Sequence, residues 1–194
     1  MKMRAHGFTL IELMTSIAVA AVLLALAVPN FSGNLKTSRI QGQLRDLYSE
    51  LVYARSDAIS RRIPVTLCSS NDGDTCSGSW SDGWIICVDA NYKTSPGCDG
   101  VAEKDTVLRV YHDLGKNTLA LTDKDGAEQN RITFLGSGAA DTTAALTFAL
   151  CDVDKDPKYA RAVLKVGAGQ LLMSSPNAES GIHSDVNNEA LTCP

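Results

Sequence analysis

One long apolar stretch near the beginning dominates the hydrophobic pattern of the chain. Residues 8–28 contain a single charged side chain, Glu12. A helix of about 21 residues, at about 1.5 Å per residue, matches the thickness of a hydrocarbon core, so the pattern predicts a membrane-spanning helix. A carboxylate at that depth costs on the order of 2.5 to 3.5 kcal/mol, and we therefore expect Glu12 to have a partner.

The pattern after the apolar stretch predicts that the same helix continues as an amphipathic one. Pro29 and Gly33 interrupt its upper part, and because a proline removes a backbone hydrogen bond, we predict a kink at Pro29. The residue before Pro64 is biased away from helical angles, which predicts an end near Arg62. One apolar face recurs at steps of four and three residues: Ile40, Leu44, Leu47, Leu51, Ala54 and Ala58.

From Pro64 onward the pattern changes to short β-type runs separated by turn residues. The tetrapeptide 123–126, Asp-Lys-Asp-Gly, is typical of a hairpin turn. About 130 residues suffice for one compact domain, so we predict an α+β fold in which the amphipathic helix packs on one antiparallel sheet. The predicted strands are residues 65–69, 84–89, 106–112, 131–135, 144–151, 160–166 and 169–173.

Charge and cysteine content predict that the C-terminal bulk is exported. Lys2, Arg4 and His6 precede the apolar stretch, and by the positive-inside rule they keep the first residues in the cytoplasm. Six cysteines in an exported chain indicate disulfides, although 15 connectivities remain open from the sequence alone.

The cysteine spacing favours one of these connectivities. Short loops rich in turn residues separate Cys68 from Cys76 and Cys87 from Cys98, and the remaining pair, Cys151 with Cys193, would tie down the tail. The chain has no C-x-x-C motif, which argues against both a zinc site and a redox-active pair.

The first residues of the apolar stretch resemble a known processing signal. Residues 7–13 read G-F-T-L-I-E-L, which resembles the class III signal of type IV pilins and of the pseudopilins of type II secretion. The resemblance implies that a prepilin peptidase cuts between Gly7 and Phe8, that the new amine of Phe8 is N-methylated, and that Glu12 pairs with that amine in a neighbouring subunit. In this family a proline at the place of Pro29 coincides with a flexible or melted stretch in assembled filaments.

The middle of the chain resembles one subgroup of these proteins. Residues 65–68 and Cys76 are followed by a W-x-x-G-W strand at residues 80–86 and by Asp89, as in the group that contains the minor pilins FimT and FimU and the minor pseudopilin GspH. The match covers roughly residues 5 to 112. Core packing is preferred over ligand stacking for the two tryptophans, with Gly83 serving a bend or bulge between them.

The resemblance implies a type IV pilin fold with four segments. These are a leader at residues 1–7, a transmembrane half-helix at 8–30, an amphipathic half-helix at 31–62 and a β-rich periplasmic head with disulfides at 63–194. The implied location is the inner membrane, with the head in the periplasm, and then the pilus on the cell surface.

The same resemblance implies a role in assembly without a cofactor. The implied function is that of a minor pilin that helps to initiate the pilus and sits at or near its tip, with adhesion and twitching motility as the processes served. The implied partners are other minor and major pilins, the prepilin peptidase and the inner-membrane assembly platform. A GspH-like pseudopilin of type II secretion is the alternative, and a FimT-like pilin that captures DNA is a second alternative.

Net charge argues against nucleic-acid binding. Without Lys2 and Arg4 the 18 basic residues fall to 16 against 22 acidic ones, so the formal charge moves from −4 to −6, which opposes attraction to phosphates. Where some FimT-type proteins carry G-R-x-R, residues 169–172 read G-Q-L-L. The remaining DNA-binding candidates are Lys158, Arg161 and Lys165 on one predicted strand face.

Two other chemistries find little support in the sequence. Asp152, Asp154 and Asp156 resemble the opening of a calcium-binding loop, but Pro157 replaces its glycine and Val163 its last ligand, so we prefer a solvated acidic turn. The three histidines accompany no recognisable nucleophile motif, and we expect no enzymatic activity.

Overall fold

The computed structural model describes residues 8–92, 97–99, 105–112 and 114–193, without the side chains of residues 24–32 and 105. The predicted leader, including Gly7, and the side chain of Pro29 therefore lie outside the described residues. The chain divides into two compact units, Met1–Ser38 and Arg39–Pro194. From here on, the second unit, Arg39–Pro194, is called the head.

Helix α1 runs from Leu10 to Arg61 as one element of 52 residues. It ends one residue before the predicted position, and Arg62 then adopts the left-handed conformation (φ 59°) that commonly terminates helices. Within the part of the chain that the structure describes, no helix contains a stretch both long and apolar enough to cross a bilayer.

The strands of the head form two four-stranded antiparallel sheets. Sheet A has the order β3-β2-β1-β5 and sheet B the order β4-β6-β7-β8. The strands of sheet A are β1 (Val65–Ser69), β2 (Trp84–Asp89), β3 (Asp105–Tyr111) and β5 (Arg131–Phe134). Those of sheet B are β4 (Thr118–Asp123), β6 (Leu146–Cys151), β7 (Arg161–Val166) and β8 (Gln170–Met173).

All seven predicted strands are present with bounds within two residues, but β4 was missed, and the prediction of a single sheet is corrected to two. Strand β4 carries the period-2 signal of a half-buried strand, because Leu119 and Leu121 are buried while Ala120 and Thr122 are only partly so. The predicted hairpin follows it: the amide of Asp123 donates to the carbonyl of Ala127 at 3.0 Å.

The largest apolar cluster among the described residues joins the helix to both sheets. The predicted helical stripe is confirmed, since all six of its members are at most 5 % exposed. Both sheets contribute to the same cluster, sheet A through residues such as Leu67 and Phe134, and sheet B through residues such as Leu121 and Phe148. The helix stripe therefore depends on both sheets for its burial.

A smaller apolar cluster lies apart from the main core. It joins Ala149, Cys151, Ala160 and Ala162 of the β6–β7 region to Leu191 near the chain end. Two isolated antiparallel bridges, Pro176 with His183 and Ser184 with Ala190, order the tail before it. The tail is thus a packed part of the head.

Two glycines give opposite expectations for the stability of the head. Gly83 has φ 138°, and a Cβ there would lie 2.3 Å from the carbonyl oxygen of Tyr111. Gly42 lies in the helix with nothing within 4 Å of an added Cβ. We expect Gly83→Ala to lower the free energy of unfolding by more than about 1 kcal/mol and Gly42→Ala to raise it by about 0.5 to 1 kcal/mol. Urea unfolding of the detergent-solubilised chain, followed by tryptophan fluorescence, measures both free energies. Equal effects of the two substitutions would contradict the requirement for glycine at position 83.

Candidate functional site

The first described turn of the helix is built around Glu12. The amide of Glu12 donates to the hydroxyl of Thr9 at 3.3 Å, which is the N-cap half of a T-x-x-E capping box. The carbonyl of Glu12 accepts the hydroxyls of Thr15 (3.1 Å) and Ser16 (2.6 Å). Sequence reasoning missed this cap, although the T-x-x-E spacing was its signal.

The carboxylate of Glu12, in contrast to its backbone, is not held by the other described residues. Glu12 is exposed, and among the described residues no hydrogen bond or ion pair to its carboxylate is present. An acidic group in the first turn also interacts favourably with the helix dipole. The hydrogen bonds at the described helix start therefore use the backbone of Glu12 and not its carboxylate.

The described side chains around Glu12 form one apolar surface. Residues 8–23 are all exposed, and Phe8 (80 %), Leu10 (77 %) and Ile11 (67 %) are the most exposed large apolar side chains. Apolar surface on this scale marks a site of contact with protein or lipid.

Three disulfides brace the head. They join Cys68 to Cys76, Cys87 to Cys98 and Cys151 to Cys193, with Cα separations of 5.5, 6.0 and 5.9 Å. These are the pairs that the loop spacing favours. The first two attach the loops around sheet A to strands β1 and β2, and the third attaches the tail to β6.

Both tryptophans are core residues, as predicted. Trp80 is 5 % exposed, donates from Nε1 to the carbonyl of Gln129 at 2.7 Å and meets the ring of Phe148 edge-on at 5.2 Å. Trp84 is 1 % exposed and stacks on Tyr111 with centroids 4.1 Å apart. Both rings therefore pack in the core.

Arg161 and Lys165 lie on the same side of β7, but the three candidate DNA-binding cations do not form an exposed cluster. Lys165 is fully buried, and its ammonium donates to the carbonyls of Thr142 and Ala144. Burial lowers the pKa of Lys165 and that of Arg161. Arg161 donates to the carbonyls of Lys158 (3.0 Å) and Ala160 (2.7 Å). Two of the three charges thus serve the fold.

The acidic turn after β6 is likewise occupied by local bonds. Asp152 is 3 % exposed and accepts the amide of Asp156 at 3.1 Å, while the carboxylate of Asp156 accepts the amide of Lys158 at 3.0 Å. Among the described side chains, the group with metal-ligand spacing consists of Cys68, Cys76 and Cys98, all held in disulfides. Calcium binding at residues 152–156 thus gains no support from a converging carboxylate set.

A buried carboxyl at the end of β2 is the most unusual polar group of the head. Asp89 is fully buried, and its Oδ2 accepts the hydroxyl of Thr66 (2.9 Å) and the amide of Gly97 (2.8 Å). Thr133 bonds in turn to Thr66 at 2.7 Å. Within the described residues, Oδ1 has no hydrogen-bond partner. Burial raises the pKa of Asp89, an effect that the bonds from Gly97 and Thr66 oppose.

Comparison with known proteins identifies the class. Residues 2–28 match the model of the prokaryotic N-terminal methylation motif, and residues 43–169 match that of the type II transport protein GspH. The first match indicates a prepilin-type, membrane-anchored protein. No curated protein matches the sequence.

Solved structures of minor pilins have the same fold. The minor pilin FimU of Pseudomonas aeruginosa, in one crystal form, is 24 % identical over 70 % of this chain and 88 % of its own, with a TM-score of 0.53. In a second crystal form it is 25 % identical over 69 % and 90 %, with a TM-score of 0.50. The minor pseudopilin EpsH of the Vibrio cholerae type 2 secretion system is 14 % identical over 70 % and 95 %, with a TM-score of 0.43.

The chain is therefore a type IV pilin-like protein with an N-terminal methylation motif. It belongs to the GspH family, in the group of minor pilins and pseudopilins that includes FimU. Members of this family are structural subunits that assemble with other pilins in pili or pseudopili.

The environment of Asp89 predicts a pH-dependent stability. The pKa of Asp89 is higher in the folded state than in the unfolded state, so the folded state binds the proton more tightly. The contribution of this proton to the free energy of unfolding is complete below the unfolded pKa of about 3.9. It declines as the pH rises through the folded pKa. We expect the unfolding free energy of Asp89→Asn, relative to the wild type, to increase from pH 4 to pH 7.

The matched variant Asp89→Ala leaves the Thr66 hydroxyl and the Gly97 amide without their acceptor, which we expect to cost about 1 to 3 kcal/mol at pH 4. Because this variant also lacks the titrating carboxyl, we expect the cost to become smaller toward pH 7, in parallel with the change in the asparagine variant. Urea unfolding at four pH values measures both variants. A constant difference between the asparagine variant and the wild type would exclude a raised pKa at Asp89.

Proposed function

We propose that the protein is a minor pilin that helps to initiate a type IV pilus and remains at or near the filament tip, in support of adhesion and twitching motility. The observation that carries this proposal is the fold shared with the minor pilin FimU over 69 % of this chain and 90 % of that one. Three disulfides in the head suit a subunit exposed outside the membrane.

The exposed apolar surface at residues 8–23 supports the assembly role. Before assembly it would lie in the inner membrane, with the head in the periplasm. In the filament the same surface would pack against the helices of other minor and major pilins. Delivery to that state requires cleavage after Gly7 by the prepilin peptidase and contact with the inner-membrane assembly platform.

Glu12 would set the register between subunits. After cleavage and methylation, the amine of Phe8 in a neighbouring subunit is a cation in an apolar environment, and Glu12 presents an unused carboxylate. Each charge alone is penalised in hydrocarbon, and pairing offsets that penalty only when the partners meet. Attraction of this kind favours one axial position of neighbouring helices over others.

A minor pseudopilin of a type II secretion system is the second candidate, because the matching family model is that of the type II transport protein GspH. The N-terminal features serve either machine equally. DNA capture has less support, since Lys165 is buried and Arg161 bonds to backbone carbonyls.

Glu12 and Thr9 allow a matched test of the assembly role. Glu12→Val removes the carboxylate but keeps the backbone amide that Thr9 caps, so we expect normal cleavage and a fall in filament incorporation of at least about tenfold, because an unpaired buried charge costs about 3 to 5 kcal/mol. Thr9→Ala removes the cap, at about 1 kcal/mol, and keeps the carboxylate.

The amount of each variant in sheared filaments and in membranes, by immunoblot, is the measurement. We expect the Thr9 variant to retain most of its incorporation. Equal losses in both variants would assign the effect to the helix start, and normal incorporation of the Glu12 variant would refute the pairing.

A clean deletion strain separates pilus from secretion machine. We expect loss of sheared surface pili, with secreted proteins at wild-type level and partial recovery of pili when retraction is also disabled. Normal pili with failed secretion would overturn the pilus role in favour of the pseudopilin. Normal pili and secretion with reduced DNA uptake would favour the DNA-capture alternative.

A further inference from the structure

The first two disulfides of the head lie in contact with each other. Sγ of Cys68 is 3.8 Å from Sγ of Cys98, although these two cysteines belong to different bonds. The sulfurs of Cys68, Cys76 and Cys98 all lie within 4.8 Å of one another. Four cysteines thus form one sulfur cluster, defined here as Cys68, Cys76, Cys87 and Cys98.

The sheet and the loops hold this cluster together from several sides. Cys68 of β1 pairs with Ile85 of β2, and Cys87 lies two residues further along β2, so both cysteines point to one face of sheet A. The amide of Cys76 donates to the carbonyl of Cys98 at 2.9 Å, and the amide of Cys98 donates to Sγ of Cys76 at 3.1 Å. The contact between the two bonds is therefore a feature of the folded chain.

The loop that carries Cys76 is itself ordered. The carboxylate of Asp72 accepts the amides of Asp74 and Thr75, both at 2.9 Å, and the hydroxyl of Thr75 at 2.6 Å. These bonds lower the pKa of Asp72, so the carboxylate stays ionised and can accept them even in acidic solution.

Access to the four sulfurs is unequal. Cys68 and Cys87 are fully buried and Cys98 is 1 % exposed, whereas Cys76 is only half-buried. Of the four cysteines, Cys76 is therefore the one that we expect a thiolate from outside to reach first, whether it comes from a small thiol or from a protein dithiol. Cys151 and Cys193 belong to the separate cluster near the chain end.

We propose that the sulfur cluster is a thiol–disulfide exchange site, in which attack on Cys76 is passed on to the second disulfide. The incoming thiolate forms a bond to Sγ of Cys76, and the Cys68–Cys76 bond breaks to release the Cys68 thiolate. That thiolate, at 3.8 Å, forms a bond to Sγ of Cys98, and the Cys98–Cys87 bond breaks to release the Cys87 thiolate. Each step forms one S–S bond and breaks one, so electrons balance without an added oxidant or reductant.

The partner class that this site fits is a thiol oxidoreductase or a small thiol. The exchange changes the covalent connections between strands and loops. Cys68 of β1 would be bonded to Cys98 of the second loop, in place of Cys76 of the first loop. A free thiol then appears at Cys87, a position that is inaccessible in the starting state. Exchange of this kind gives the cluster a second covalent state with the same cysteine set.

The full chain with Cys76→Ser tests the internal step without any added thiol. The substitution leaves Cys68 as a thiol next to the Cys87–Cys98 bond. After incubation at pH 8, acid quenching, alkylation and peptide mass spectrometry, we expect the Cys68–Cys98 isomer with alkylated Cys87 in at least about a tenth of the molecules, because exchange between similar disulfides is close to balanced. Only alkylated Cys68 with an intact Cys87–Cys98 bond would overturn the proposal.

Cys193→Ser is the matched control. It leaves a free thiol at Cys151 in the cluster near the chain end, and we expect both other disulfides to keep their native partners. Scrambling in this control equal to that of the Cys76 variant would overturn the proposal, because it would show exchange that does not depend on the 3.8 Å contact.

The unaltered chain supplies a second test that does not depend on folding of a variant. In treatment with less than one equivalent of dithiothreitol, the reductant leaves as its cyclic disulfide, and trapping with N-ethylmaleimide should give molecules in which Cys76 and Cys87 are both alkylated and Cys68 is bonded to Cys98. Partially reduced molecules that all carry alkylated Cys68 and Cys76, with Cys87–Cys98 unchanged, would refute the relay.

Discussion

The head of this protein depends on burial of one helical stripe against two sheets. A sheet of four short strands covers only part of a helix, and here sheets A and B both contribute side chains to the cluster that surrounds residues from Ile40 to Ala58. Apolar burial of this extent is the main favourable term in folding. The chain alternates between the sheets, since β4 joins sheet B before β5 returns to sheet A. The main cluster therefore includes residues of both sheets.

Two charged residue types, Lys165 and Asp89, are fully buried in the head. Lys165 is fully buried, and its ammonium holds two carbonyls of the segment 142–144. A buried ammonium is costly unless its hydrogen bonds are satisfied, so the position ties the segment to β7 rather than serving an external anion. Asp89 holds a corresponding position in sheet A, where its carboxyl links Thr66 of β1 to Gly97 beside Cys98. A substitution at either residue acts on the fold first.

Much of this architecture could be predicted from the spacing of apolar residues, because burial acts on one whole face of a helix or strand. The helix stripe and seven strands follow from apolar spacing, two disulfide pairs follow from short loops, and the third is the pair that remains. Strand β4 was missed although Leu119 and Leu121 alternate with smaller or polar residues, which is the period-2 signal of a strand. The division into two sheets depends on pairings between strands far apart in the chain, such as β1 with β5, and spacing does not encode these. The burial of Lys165 was also beyond the sequence, since lysine is normally exposed and only the tertiary position of residues 142–144 supplies its acceptors.

At the helix start, Thr9 caps the backbone, so the carboxylate of Glu12 is not needed for capping. At Glu12 the backbone amide serves the cap on Thr9 and the carbonyl accepts two hydroxyls, whereas the carboxylate takes part in none of these bonds. A carboxylate used for capping would have to leave that bond before it could bind a neighbouring amine, and the exchange would weaken the pairing. Because Thr9 caps the helix, the charge of Glu12 would enter the proposed contact without first breaking a bond to another described residue. An assembly residue at this place would need a helix start that holds without it, and Thr9 meets that requirement.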